Sequence, residues 1–122
     1  FDKDSFDVVI CNHVLEHVED SHKVMTEFYR VMKPGGWGIF QVPIDTSNPN
    51  TEEDKSVIDP KDRERLYWQD DHLRLFGLDY GKKLAAAGFK VTESDFINEL
   101  NPELVDRYAL PKGEIVYFCE KE

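Results

Sequence analysis

Apolar and polar positions divide the chain into strand-like runs, helical stripes and polar turns. Phe6, Val8, Val9, Ile10 and Cys11 form a short, nearly continuous apolar run with Asp7 as its only charge, the pattern of a strand buried on both faces. Polarity returns at Asn12 and His13. Val24, Met25, Phe28, Val31 and Met32 then recur at spacings of three and four, a helical stripe that Asp20 or Ser21 can cap. Lys33-Pro34-Gly35-Gly36 reads as a helix stop and tight turn, and Trp37, Ile39, Phe40 and Val42 as a second strand. Strand, helix and strand over about 35 residues make a right-handed crossover unit with parallel strands.

From Pro43 to Asp71 the residues turn to Asp, Glu, Asn, Ser and Pro, predicting a polar surface excursion or lid over 43–71. A disordered acidic insert is the alternative. Within it, Asp59-Pro60 predicts a short helix from Pro60 to about Tyr67. Leu73, Leu75 and Phe76 lead to Tyr80, Leu84, Ala85 and Ala87, a helical stripe ended by Gly88, and Phe89 to Thr92 starts another strand. Asn101-Pro102 predicts a helix to about Tyr108, and Ile115 to Cys119 a last strand interior to the sheet. No repeat or second domain interrupts residues 1–122, which read as a single, partial domain. The first strand starts five residues after Phe1 with nothing before it to pair with, so the pattern predicts a fragment whose Phe6 to Cys11 edge is open to self-association.

Composition narrows the partners. A formal net charge of −10 argues against a nucleic-acid partner, which clustered Lys and Arg would serve, and favours a small molecule. No apolar run approaches the roughly 18 residues of a membrane span and no leader pattern opens the chain, so a cytoplasmic protein with no membrane partner is expected. Cys11 and Cys119 sit inside apolar runs and read as buried thiols.

Three stretches carry candidate chemistry. His13-Val14-Leu15-Glu16-His17 spells H-x-x-E-H, the order of inverted zinc peptidases, but it straddles a strand end and a turn, where both His residues cannot share a helical turn. No metal is therefore expected. The same stretch lies where a parallel sheet binds its ligand, outside the carboxyl ends of the strands. Asn12 offers hydrogen bonds there, His13 and Val14 wall a pocket, and His17 either reaches that pocket or packs beside the helix start. Asp70-Asp71-His72 with Arg74 offers a base in His72 and a carboxylate or phosphate clamp in Arg74, or else a solvated turn. No G-x-G-x-x-G, Walker loop or serine elbow is present.

The run FDVVICNHVLEHVEDSHKVMTEFYRVMKPGGWGIFQVP resembles the fourth strand, the helix after it and the fifth strand of class I S-adenosylmethionine-dependent methyltransferases of the small-molecule type 11 group. HLRLFGLDYGKKLAAAGFKV is similar to the next helix and sixth strand, and GEIVYFCEK to the antiparallel seventh strand. The resemblance implies an α/β fold, the carboxyl-terminal half of a Rossmann-like sheet with strands 4, 5, 6 and 7, strand 7 antiparallel, and flanking helices. It implies S-adenosylmethionine as cofactor of the complete protein, with Asn12, His13, Val14 and, less directly, His17 beside its methionine end. The family's glycine-rich motif and ribose-binding acid belong to the amino-terminal half, so residues 1–122 alone are expected to bind no cofactor and to be inactive. A non-catalytic, self-associating module is the alternative, and His72 as base and Arg74 as substrate ligand are guesses from position.

Overall fold

The computed structural model describes all 122 residues. Its sheet has four strands: β1 (Phe6–Asn12), β2 (Met32–Gln41), β3 (Lys90–Ser94) and β4 (Val116–Glu120), in the spatial order β1-β2-β4-β3. β1 and β2 are parallel, and β4 enters antiparallel between β2 and β3. The strand directions and the interior place of the last strand are those the resemblance implied.

Helix α1 (Ser21–Val31) joins β1 to β2, and the carboxylate of Asp20 caps it by accepting from the Lys23 amide at 2.9 Å. β2 starts at Met32, earlier than the Trp37 expected, because the chain becomes extended as soon as α1 ends. Lys33 to Gly36 thus belong to the strand, and Gly35 supplies the one positive φ, +79°, in this stretch. Gly38 lets β1 and β2 approach: a Cβ there would stand 2.6 Å from the Val9 carbonyl oxygen.

α2 (Pro60–Tyr67) forms as predicted, with Asp59 as its cap and Pro60 in the first turn. The surrounding 43–71 segment is fastened to the domain. Ile44 and Glu52 form bridges to Phe76 and Leu75, and the Thr51 hydroxyl donates to Asp79 at 2.6 Å. Leu75 and Phe76 lie outside the helix, because these bridges claim their backbone. α3 is confined to Tyr80–Ala86 and leaves Ala85 exposed. α4 (Phe96–Glu99), a single turn with no marked pattern, and α5 (Pro102–Arg107) link β3 to β4.

α1 and α3 cover one face of the sheet. Met25, Met32, Phe40, Phe76, Tyr80 and Leu84 are fully buried there, with Phe28 stacked on Phe40 at 5.2 Å and the Tyr80 hydroxyl donating to the Phe40 carbonyl at 3.2 Å. The other face carries Val8, Ile10 and Trp37, which remain 39%, 61% and 37% exposed. β1 is therefore an edge strand buried on one face only, contrary to the two-sided burial its apolar run predicts. No helix is long and apolar enough to cross a membrane.

Candidate functional site

The site grows from the segment after β1. The His13 amide continues the ladder by donating to the Gln41 carbonyl at 2.8 Å, and His13 then takes φ +55°, turning the chain out of the strand. Leu15 drops into the core with no exposed surface and draws Glu16 in after it, to 1% exposure. Asn12, His13 and Val14 stay accessible at the carboxyl end of β1.

A second segment holds this turn from behind. The Leu73 amide donates to the Glu16 carbonyl at 2.8 Å. Arg74, 1% exposed, donates to the carbonyl oxygens of Leu15 and Val18, both at 2.6 Å, to that of Glu19 at 3.0 Å, and to the Glu53 carboxylate at 2.8 Å. The terminal nitrogens of Arg74, the residue expected to bind substrate, are thus committed to the loop, and the residue also lines a cavity of about 330 Å³ with Glu53 and Arg63.

These fastenings bring Glu16, His17 and His72 together. One donor atom from each lies within 4.8 Å of the others. The His72 ring is 2% exposed and its Nδ1 faces the Tyr67 carbonyl at 2.8 Å. His17 Nδ1 faces Asp71 at 3.3 Å, and its Nε2 lies 3.8 Å from Glu16 Oε1. The two imidazoles stand edge to face, 4.7 Å between centroids. His13 approaches Glu16 with Nδ1 at 3.5 Å, and neither Glu16 oxygen has a hydrogen-bond partner. Burial, with the Glu16 charge adding to it, pushes the Cys11 thiol up to about 11.

The structure thus separates residues that the sequence grouped. Asn12, His13 and Val14 face outward, whereas His17 turns toward Glu16, Asp71 and His72. The segment holding the H-x-x-E-H string is turn rather than helix, so the peptidase arrangement is not formed. Glu16, which appears in the sequence only as the acid of the H-x-x-E-H string, is the buried centre of the cluster. Its signal in the sequence was a carboxylate directly before His17 with a second His-carboxylate pair, Asp71-His72, downstream.

Beside His13 opens a cavity of about 480 Å³, lined among others by Val42, Ile44, Trp68, Leu78 and Tyr117. It lies past the carboxyl ends of β1 and β2, with the 43–71 segment contributing one wall. Burial pushes the Tyr117 hydroxyl up to about 12, with the Glu93 charge adding to it, so this residue is a neutral phenol in the wall.

Residues 1–40 match the family model of a methyltransferase domain. The whole chain also overlays solved methyltransferases: 98% of it on an S-adenosylmethionine-dependent methyltransferase from Mesorhizobium loti, at TM-score 0.55 and 16% identity, covering 63% of that chain. The fold is that of the class I methyltransferases. The Haemonchus contortus phosphoethanolamine N-methyltransferase 2 shares the methyltransferase fold at TM-score 0.53 and 17% identity, the match covering 100% of this chain and 35% of that one. The [4+2]-cyclase SpnF overlays at TM-score 0.61 and 16% identity, covering 99% and 52%, so the fold also serves a protein named for another reaction. Two ubiquinone biosynthesis O-methyltransferases are similar over a short stretch. That of Thiobacillus denitrificans is 51% identical over 35 residues and that of Paraburkholderia phymatum 50% identical over 36. The matches take in 29% and 30% of the chain and only 15% and 16% of those methyltransferases.

Proposed function

We propose that these residues belong to an S-adenosylmethionine-dependent methyltransferase that methylates an oxygen of a small molecule. The observation that carries the reading is the juxtaposition of an exposed strand end, Asn12 to Val14, with a cavity of mixed polar and apolar lining that shares His13 with it. The residues present fit the methionine end of the cofactor: Val14 leaves 42% of its surface free beside the polar Asn12 and His13. Bound there, the cofactor would supply an electrophilic methyl group on its sulfonium. The chain's part is to orient and to exclude water: Val14 packs, Asn12 offers an amide, and Trp68, Leu78 and Tyr117 enclose an acceptor. The oxygen acceptor is favoured by the two ubiquinone biosynthesis O-methyltransferases that are similar over this short stretch.

The 122 residues supply one wall of this site, and the adenosine end falls to sequence outside them. Residues 1–122 alone are accordingly inactive in this reading. Incubating the full-length protein with methyl-labelled S-adenosylmethionine and a set of small phenols tests it. Label in an ether product is expected; label in none of the acceptors, with cofactor bound, would point to another reaction.

A further inference from the structure

We propose that Glu16, His17 and His72 form a binding site for a divalent transition-metal ion. Three features favour it, and none depends on the methyltransferase reading. The first is ligand number and type: one carboxylate and two imidazoles lie within 4.8 Å of one another, close enough for all to reach a single ion. Two His and one carboxylate, with positions left open, suit zinc, cobalt(II) or iron(II) rather than calcium or magnesium.

The second feature is the support behind each ring. Metal-binding imidazoles commonly give their other N–H to a carboxylate or a main-chain carbonyl, which fixes the tautomer and aims the free nitrogen at the ion. His72 Nδ1 faces the Tyr67 carbonyl at 2.8 Å and His17 Nδ1 faces Asp71 at 3.3 Å. Both Nε2 atoms are thereby left as electron-pair donors, and that of His17 is already 3.8 Å from Glu16.

The third is Glu16 itself. Its carboxylate is 1% exposed with neither oxygen hydrogen-bonded, an arrangement that is unfavourable unless something balances the charge. Arg74, the nearby cation that holds this loop, gives its two terminal nitrogens to carbonyls and Glu53, and its buried Nε makes no hydrogen bond to Glu16. A dication between the three side chains gives the carboxylate its counter-charge. Asp71 supports the site from behind, and His13, 3.5 Å from Glu16 and mostly exposed, stands where the site meets the cavity.

Cobalt(II) is the probe, because its visible absorption reports nitrogen and oxygen ligation directly. Titration of the metal-free, 122-residue chain is expected to give visible bands that saturate at one equivalent and are abolished by zinc. Glu16→Gln and His72→Ala should each weaken binding at least about 100-fold, and Asp71→Asn, at an exposed supporting position, about 10-fold or more. His22→Ala, outside the cluster, should change nothing. Zinc should raise the melting temperature of the wild type and not of Glu16→Gln, whose near-identical shape keeps the fold testable by circular dichroism. Absence of bands, or bands that survive both Glu16→Gln and His72→Ala, would overturn the site. Neither cofactor nor acceptor enters this titration, so its failure leaves the methyltransferase reading untouched.

Discussion

Arg74 donates to the main-chain carbonyl of Leu15 at 2.6 Å across 59 residues of chain. Because the same guanidinium holds Val18, Glu19 and Glu53, one side chain sets the path of the turn that presents Asn12 to Val14 on one side and Glu16 and His17 on the other. Replacing it by Met leaves three carbonyls and a carboxylate unpaired. A loss of about 3 kcal/mol is expected in urea unfolding. Arg74→Lys should lose less, since an ammonium keeps the charge but not the planar fork. An unchanged midpoint for Arg74→Met would show that the turn holds itself.

Lys121 ties the last residues to the junction of α1 and β2. Its ammonium, 6% exposed, donates to Asp4 at 2.7 Å and to the carbonyls of Tyr29 and Met32 at 2.8 and 2.7 Å. The hydrogen bond from Lys121, with its charge and that of Lys3, holds the Asp4 carboxyl below its ordinary value of 3.8. A depressed carboxyl stabilises the fold above its unfolded pKa and loses that contribution as pH falls through the folded value. Wild type should therefore exceed Asp4→Asn in urea midpoint near neutrality, and the gap should shrink progressively as pH falls below about 4. A gap independent of pH would contradict the ion pair.

Cys11 and Cys119 are buried, and desolvation pushes their thiols up to about 11 and about 12. At about pH 8 neither supplies thiolate in the folded state. Native protein should react with a chromogenic disulfide reagent many-fold more slowly than denatured protein, and both thiols should appear on unfolding. Fast reaction of one thiol in the native state would contradict its burial.

β1 ends the sheet with Ile10 61% exposed. An apolar edge strand is a pairing surface, and for residues 1–122 we propose a second copy as its partner. Sedimentation is expected to show a concentration-dependent dimer or larger species that Ile10→Lys shifts toward monomer. A monodisperse wild-type monomer would refute this.

Much of the frame was legible because it is encoded locally. Asp20, Asp59 and Asn101 announce helices that begin where expected, and the runs at Phe6 and Ile115 announce strands. What was illegible depends on distant partners. The one-sided exposure of Val8 and Ile10 follows from what lies over the sheet, and the non-helical Leu75 and Phe76 from bridges to Glu52 and Ile44. The site divides in the same way. Asn12, His13 and Val14 follow from their place after a strand, but the pairing of His17 with His72 and the burial of Arg74 exist only once the 43–71 segment is pinned in place.

The most direct test of the methyltransferase reading is calorimetric titration of S-adenosylmethionine into the full-length protein and its Val14→Lys variant. The account predicts micromolar binding by the wild type, weakened at least about tenfold by Val14→Lys, a change of ~1.4 kcal/mol or more. Equal affinities for the two proteins, or no binding by the wild type, would contradict it.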